Sequence, residues 1–295
     1  MTSAAEPKTL RELLSELTAK FEGAGIESAQ ADAELLVADV LQMNRGELTV
    51  AVITNQAISA EQTARVETLA AKRAERVPLQ HLTGKAYFRN LELSVGPGVF
   101  VPRPETEGVA QLAIDALRAV ASETPIAIDL ATGSGAIALA MATEVTNVKV
   151  YAVELSDDAI GYTRKNFERW SPAGSANAAE LRHGDLATAF DDLFGQVDVL
   201  VSNPPYIPSA MVPIYPEVHL HDPALALYGG EDGLDLIRVI SQRGLKLLKP
   251  GATLVIEHAD QQSQAVVELL KNDGWRQVRD HKDFNLRDRA VTAIR

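Results

Sequence analysis

A strand-like run, Val197-Asp198-Val199-Leu200-Val201-Ser202, leads directly into Asn203-Pro204-Pro205-Tyr206, and this junction constrains the fold more than any other stretch of the chain. The run has the length and β-branched content of a buried strand, and open α/β sheets place their ligands beyond the carboxyl ends of such strands. Two consecutive prolines fix φ and carry no N–H, so the chain leaves the sheet there on a stiff turn. One reading of Asn-Pro-Pro is only that, a strand-terminating turn. The other is a clamp for a planar NH2 group. The Asn203 carboxamide oxygen can accept one N–H and the Pro204 carbonyl another, while Pro205 and the Tyr206 ring offer flat faces for an amide or a base.

Placement decides between them. Upstream, residues 126–138 (Ile-Ala-Ile-Asp-Leu-Ala-Thr-Gly-Ser-Gly-Ala-Ile-Ala) read as a buried strand, a glycine-containing turn and the start of a helix. Glycines let a backbone approach a ligand closely, and a helix N-terminus offers free N–H groups to an anion, so a nucleotide-type cofactor is implied. The dinucleotide pattern Gly-x-Gly-x-x-Gly is absent, which argues against a nicotinamide-dependent oxidoreductase. A second strand, Val148 to Val153, ends in Glu154, whose carboxylate can accept both hydroxyls of a ribose. Gly184-Asp185-Leu186 follows a third short strand and offers a polar contact and an apolar wall for a purine.

With these residues in view, the chain resembles the class I S-adenosylmethionine-dependent methyltransferases, and within them the glutamine N5-methyltransferases of peptide-chain release factors. Val101-Pro102-Arg103-Pro104-Glu105-Thr106-Glu107 is similar to that family's Pro-Arg-Pro-Glu-Thr-Glu signature. The turn from Asp129 to Ala138, Ala152-Val153-Glu154, the tetrapeptide Asn203 to Tyr206, and the segment His221 to Leu234 with its Gly229-Gly230 pair resemble its other motifs, so the likeness runs from about Leu10 to the C-terminus. Three positions depart from the pattern. Ala131 stands where the first glycine of the turn is usual, Asp222 replaces a commoner Glu, and Leu186 stands where some members carry an aromatic.

The resemblance implies S-adenosylmethionine as methyl donor. Backbone from Ala131, Thr132, Gly133, Ser134 and Gly135 would meet its methionine end, Glu154 the ribose, and Asp185 and Leu186 the adenine. Asp129 either caps a structural element or reaches the methionine ammonium. Arg103 either orders a lid over the cofactor or pairs with Glu105 or Glu107, the structural role being preferred. Asn203, Pro204, Pro205 and Tyr206 would hold the substrate and carry catalysis, with Asn203 also near the cofactor. The implied reaction is methyl transfer to the amide nitrogen of the glutamine in a release factor's Gly-Gly-Gln motif. The nearest rival is an N6-adenine methyltransferase acting on DNA or RNA, because the same clamp serves the amine of a flipped base. A net charge of −12 and the lack of an evident basic insert weigh against that rival and against stable nucleic-acid binding. A scaffold that merely binds the cofactor would need no clamp.

The expected fold is therefore α/β: a class I methyltransferase doubly wound sheet, mostly parallel with the last strand antiparallel, preceded by a small helical bundle. Residues 1–80 are expected to form a helical substrate-recognition domain, 81–103 a hairpin connector, and 104–295 the methyltransferase domain. In the bundle, Thr9 with Glu12 and Ser59 with Gln62 mark helix starts, Ser28 opens another helix, and the Ser59 helix runs to about Arg76. Strands are expected near 126, 148, 179, 197 and 252, with Trp275–Val278 and Ala290–Ile294 paired antiparallel, and Ser171–Ala179 as a loop. Lys72, Arg73 and Arg76 read as a solvated helix end, and His219 and His221 as strand neighbours that complete no metal site. No cysteine is present, so disulfides and thiolate chemistry are excluded. No apolar run is long enough to span a bilayer and the N-terminus lacks a secretory pattern, which points to the cytoplasm; the absence of a heptad seam points to a monomer.

Overall fold

The computed structural model describes residues 8–175 and 178–295, so Ala176 and Asn177 of the expected 171–179 loop, and residues 1–7, lie outside the described residues. In chain order the helices are α1 (Leu10–Gly23), α2 (Ala29–Leu41), α3 (Arg45–Ile53), α4 (Ala60–Ala74), α5 (Leu79–Thr83), α6 (Thr106–Arg118), α7 (Ala136–Glu144), α8 (Asp157–Trp170), α9 (Pro216–His221), α10 (Ala224–Leu227), α11 (Asp235–Leu247) and α12 (Ser263–Asn272). The strands are β1 (Lys85–Phe88), β2 (Leu91–Ser94), β3 (Ile126–Leu130), β4 (Lys149–Glu154), β5 (Glu180–His183), β6 (Val197–Ser202), β7 (Leu248–Glu257), β8 (Arg276–Lys282) and β9 (Asp288–Ile294). The chain divides into two compact units. One comprises the chain up to Gly84 together with Tyr215–His221, and the other comprises Lys85–Ile214 and Asp222–Arg295.

In the first unit, α1, α3 and α4 each begin with a capping box. The side chains of Thr9, Asn44 and Ser59 accept from the backbone N–H of Glu12, Glu47 and Gln62, whose own side chains accept in return. Ser28 opens α2 differently, with its hydroxyl donating to Asp32 Oδ1 at 2.8 Å and no side-chain cap on the backbone. Leu10, Leu13, Leu17 and Phe21 of α1 pack with Leu36 and Val37 of α2 and Val66 and Ala70 of α4 in one apolar core. Helices α3 and α5 were not anticipated from periodicity. The Asn44/Glu47 box was the sequence signal for α3, while α5 is a single turn after Pro78.

Two sequence expectations are corrected here. Arg73 and Arg76 are not a solvated helix end. The Arg73 side chain, 6% exposed, donates from Nε to Asp32 Oδ2 at 2.7 Å and from Nη1 to Glu217 Oε1 at 2.8 Å. Arg76 grips the same Glu217 with Nε and Nη2 at 2.8 and 2.7 Å and caps the Gly25 carbonyl with Nη1. The carboxylate partners of these arginines are 41 and more residues away, so helical spacing alone could not reveal them. His219 and His221 lie in α9 rather than on a strand, and no cluster able to hold a metal ion occurs among the described residues.

The second unit opens with the antiparallel hairpin β1–β2 and continues as a seven-stranded sheet of order β5-β4-β3-β6-β7-β9-β8. All pairings among β5, β4, β3, β6 and β7 are parallel, and β9 runs antiparallel to both of its neighbours, β7 and β8. The final strand is thus the reversed one, inserted between β7 and β8. Every residue of β6 is buried, as its unalternating sequence requires when both faces are covered. One face is packed by Val109, Ile114 and Leu117 of α6 and by α7, the other by Ile237 and Ile240 of α11 with Val266 and Leu270 of α12. Among the described residues no helix is long and apolar enough to cross a membrane.

The Arg73–Asp32–Glu217 cluster yields a test. Burial alone would raise the Glu217 carboxyl, but the hydrogen bonds from Arg76 and Arg73 bring it down to about 2 from an ordinary 4.5. A depressed folded-state value adds stability above the unfolded value and loses it as pH falls toward the folded one. Glu217→Gln is therefore expected to be less stable than wild type in urea unfolding at pH 7, the gap closing between about pH 4.5 and 2. Asp32→Ala, which strips a partner from a buried guanidinium, is expected to cost about 3 kcal/mol in the same assay.

Candidate active site

The site is assembled where the chain direction across the sheet reverses. From β3 the chain steps outward to β4 and β5, then returns to place β6 on the other side of β3. A ligand crevice forms outside the carboxyl ends of the strands at such a reversal. Leu130 lies opposite Val153 on one side and Ser202 on the other, and the Ser202 hydroxyl donates to the Leu130 carbonyl at 2.6 Å. The turn after β3, the end of β4 and the tetrapeptide after β6 are thereby held side by side.

The turn from Ala131 to Gly135 is left-handed at three of its five residues, with φ of +59° at Ala131, +57° at Gly133 and +87° at Gly135. Gly135 has a further constraint, since a Cβ there would sit 2.8 Å from the Phe167 ring. The turn is tied down from all sides. Thr132 N donates to the Val153 carbonyl at 3.0 Å, the Thr163 hydroxyl donates to the Gly133 carbonyl at 2.6 Å, and Asn166 Nδ2 donates to the Ser134 carbonyl at 2.9 Å. Thr132 and Ser134 are buried, and α7 starts immediately beyond with its N-terminal N–H groups facing the turn's end.

Asp129 resolves into a capping role with capacity to spare. Its Oδ2 accepts from the Thr132 hydroxyl at 2.6 Å and from Ala138 N, in the first turn of α7, at 3.1 Å. Its Oδ1 is buried without a partner, and burial pushes the carboxyl up to about 7 against the pull of Thr132 and Ala138. Glu154 accepts from Gly133 N at 2.8 Å through Oε2 and from Ser156 N at 2.7 Å through Oε1. Each carboxylate oxygen retains a second lone pair, so holding the turn does not use up its acceptor capacity. Asp185 is exposed and its Oδ1 accepts from Ala187 N at 2.8 Å, while Leu186 is buried in the core beside Phe190 and Leu193. These residues fit S-adenosylmethionine: a tight left-handed turn before a helix N-terminus, an unsatisfied buried carboxylate oxygen and a second carboxylate at the next strand end.

Beyond β6, Pro204 and Pro205 are buried and Asn203 and Tyr206 half-buried. Asn203 Nδ2 donates to Thr106 Oγ1 at 3.3 Å, and the Tyr206 hydroxyl donates to Glu257 Oε1 at 3.2 Å. Burial and the neighbouring Glu257 carboxylate push the Tyr206 phenol well above its usual value, so it stays neutral. The turn is backed by the Gly229–Gly233 segment at backbone distance. A Cβ on Gly229 would lie 2.5 Å from the Pro205 carbonyl oxygen, and one on Gly233 would lie 2.2 Å from that of Tyr206. Gln262 Nε2 bridges the Tyr206 and Asp232 carbonyls at 2.9 and 3.2 Å. Sequence reading missed Thr106, Glu257 and Gln262 as neighbours of the tetrapeptide. Thr106 lay inside the Pro-Glu-Thr-Glu signature and Glu257 at the end of an apolar run, which were the available signals.

Arg103 pairs with neither Glu105 nor Glu107. Its Nη2 donates to Asp222 Oδ2 at 2.6 Å, and its guanidinium stacks 4.9 Å from the Phe100 ring centroid. Glu107 accepts instead from Arg89 N at 2.8 Å. Burial raises Asp222 to about 6 against the opposing charge of Arg103. The pairing spans 119 residues, which is why local sequence pointed to nearer carboxylates.

Ala131 carries a backbone cost that a glycine would not. A left-handed L-residue costs about 1–2 kcal/mol, and glycine gives back roughly 0.5–1 kcal/mol of that as unfolded-chain entropy. Ala131→Gly is therefore expected to unfold at the same or slightly higher urea concentration. Ala131→Val, β-branched in the same conformation, is expected to lose about 1 kcal/mol or more in the same measurement.

Residues 12–84 match the PrmC N-terminal domain and residues 90–212 the methyltransferase small domain. The chain is 49% identical over 282 residues to the release factor glutamine methyltransferase of Streptomyces coelicolor, covering 95% of this chain and 96% of that one. It is 36% identical over 301 residues to the 4-amino-L-phenylalanine/4-methylamino-L-phenylalanine methyltransferase of Streptomyces pristinaespiralis, covering 100% and 97%. Among solved structures, the catalytic domain of hMettl16 in complex with a 3′UTR hairpin shares the fold, with a TM-score of 0.55 at 16% identity over 80% of this chain and 82% of that one. By sequence, the chain belongs to the release factor glutamine methyltransferase family.

Proposed function

We propose that this protein methylates the side-chain amide nitrogen, N5, of the glutamine in the Gly-Gly-Gln motif of peptide-chain release factors. The observation that carries the reading is the register of β3 and β6, which sets the Asn203–Tyr206 turn directly beside the Ala131–Gly135 turn. S-adenosylmethionine, when bound, supplies an electrophilic methyl group on a sulfonium. The backbone of Ala131, Thr132, Gly133, Ser134 and Gly135 would hold its methionine end, with Asp129 Oδ1 available to the ammonium. Glu154 would take the ribose, and Asp185 and Leu186 would border the adenine.

An amide nitrogen is a poor nucleophile because its lone pair is delocalised into the carbonyl. The Asn203 carboxamide oxygen and the Pro204 carbonyl each accept one N–H of the glutamine, which fixes the nitrogen and stabilises the positive charge that grows on it. Orientation of this kind contributes about 7–11 kcal/mol where the geometry is near attack. No side-chain base is required. As the N–C bond forms and the S–C bond breaks, the nitrogen becomes acidic and its surplus proton passes to water. Buried Pro204 and Pro205 and the half-buried Tyr206 ring limit water on the face of the amide. The helical bundle would recognise the folded body of the release factor. Its substrate supports a cytoplasmic site of action, and the lack of a heptad seam supports action as a monomer.

A second reading rests on the 36% identity to a methyltransferase named for an aromatic amine. An aryl NH2 is planar and offers two N–H donors, as a glutamine amide does, so the clamp itself accepts either. Mass spectrometry separates the readings. Purified bacterial release factor, 4-amino-L-phenylalanine and an adenine-containing duplex are each incubated with the protein and S-adenosylmethionine. One methyl on the Gly-Gly-Gln glutamine is the expected result. Methylation confined to the free amine or to adenine would move the function there.

Two substitutions should divide chemistry from cofactor binding. Asn203→Ala is expected to lower kcat by at least about 100-fold with S-adenosylmethionine affinity within twofold by calorimetry. Glu154→Ala is expected to weaken that affinity by about tenfold or more, the value of one charge-assisted hydrogen bond.

A further inference from the structure

We infer that Gln262 is a positioning residue, whose carboxamide pins the Tyr206 carbonyl and thereby aims the Pro204 carbonyl at the substrate. The inference rests on the proposed clamp and concerns what that clamp needs from the fold. Two acceptors serve one NH2 group only while their separation is held. Asn203 follows β6 directly, so one end of the turn is set by the sheet. The prolines cannot set the other end. Pro204 and Pro205 carry no N–H with which to bond to their surroundings, and although their rings fix φ, the ψ of each stays free. Rotation about ψ of Pro204 is what swings its carbonyl.

An anchor immediately beyond the prolines removes that freedom. The planar peptide unit joining Tyr206 to Ile207 is held on both edges. Ile207 N donates to the Leu227 carbonyl at 2.8 Å, and the Tyr206 carbonyl accepts from Gln262 Nε2 at 2.9 Å. One hydrogen bond leaves a peptide plane free to tilt about it, whereas two on opposite edges fix it. Farther along, backbone pairing takes over, with Gly229 N donating to the Ile207 carbonyl at 2.9 Å and Ser209 N to the Gly230 carbonyl at 2.8 Å. Gln262 supplies from a side chain, at Tyr206, what the backbone supplies from Ile207 onward.

The Gln262 amide has one possible orientation, because three backbone groups surround it and each can play a single part. The Tyr206 and Asp232 carbonyls accept the two N–H groups of Nε2 at 2.9 and 3.2 Å, and Ala259 N donates to Oε1 at 3.0 Å. A half-turn of the amide would set its oxygen against two carbonyls and its NH2 against an N–H. The side chain is 8% exposed, which leaves little bulk water to stand in for it. Gly233 makes the room, since a Cβ there would lie 2.6 Å from Nε2 as well as 2.2 Å from the Tyr206 oxygen. Glu257, the last residue of β7, accepts from the Tyr206 hydroxyl at 3.2 Å. Both ends of Tyr206, carbonyl and hydroxyl, are therefore held from the same stretch of chain.

The test uses the full chain and two substitutions. Gln262→Met keeps the length and removes every hydrogen bond, and Gln262→Glu keeps an acceptor for Ala259 N while replacing the donors. Assays are run at about pH 9, where the introduced carboxyl is ionised. Tyr206-Ile207 is the one Tyr-Ile step in the chain, so carbon-13 at tyrosine carbonyls combined with nitrogen-15 in isoleucine reports that peptide alone. Loss of the Gln262 bond moves the carbonyl resonance upfield, which is expected in both variants. With release factor as substrate, both are expected to lose roughly 10- to 100-fold in kcat, with S-adenosylmethionine affinity within about twofold of wild type. KM for the release factor should stay within about threefold, because one NH2 is a small part of what a folded substrate presents. A side chain that merely held the Ala259–Gln262 turn would leave Gln262→Glu like wild type. An unmoved Tyr206 carbonyl in either variant, a kcat close to wild type in either, or a loss of S-adenosylmethionine affinity as large as the loss in kcat would each overturn the assignment. Should wild type itself leave the release factor unmethylated, the proposed function fails by itself, and the Tyr206 carbonyl still decides whether Gln262 holds the turn.

Discussion

The pairing of β3 with β4 on one side and β6 on the other is the constraint on which the site depends. Parallel strands end level with their neighbours when their register is fixed, and here Leu130 has Val153 as its partner on one side and Ser202 on the other. Three loops separated by tens of residues in sequence therefore emerge at one edge. The hydrophobic layers on both faces enforce that register, because a slip of one residue would carry every side chain of the buried strand β6 to the opposite face. Packing within the sheet thus sets the distance between the Ala131–Gly135 turn and Asn203.

Much of this arrangement was legible in the chain because it is written in local pattern. Strands β3, β4 and β6 are short apolar runs, each ending at or just before a candidate site residue, and the capping boxes at Thr9 and Ser59 announce α1 and α4. What escaped the sequence depends on tertiary partners. Arg73 and Arg76 look like surface charges on a helix, and only the fold supplies Asp32 and Glu217 to bury them against. Arg103 has acidic neighbours two and four residues away in the chain, yet it pairs with Asp222. In each case the spacing was compatible with an ordinary exposed pair, and desolvation by a distant segment changed the outcome.

Ala131 shows a different limit. Its departure from glycine could suggest that the turn adopts another path, but the backbone keeps the left-handed conformation and the alanine accepts the strain. The surrounding bonds explain how. Glu154 on Gly133 N, Val153 on Thr132 N and Thr163 on the Gly133 carbonyl fix the turn from outside, so one unfavourable φ is outvoted by the network around it. A carboxylate assigned to the ribose therefore has a second duty toward the loop that would surround the methionine. On the proposed assignment, any substitution of Glu154 would act on both.

The proposed clamp does not by itself set specificity. Two acceptors set on a stiff turn would recognise a planar NH2 without distinguishing a glutamine amide from an aromatic amine. The relatives of this chain include enzymes named for each. Discrimination is a difference in transition-state binding between competing substrates, so it must arise where those substrates differ, in the atoms beyond the NH2 group. A release factor presents a folded surface and a free amino acid does not. With the proposed clamp, the selective contacts would lie outside Asn203–Tyr206, and the tetrapeptide could persist unchanged while the substrate class shifts around it.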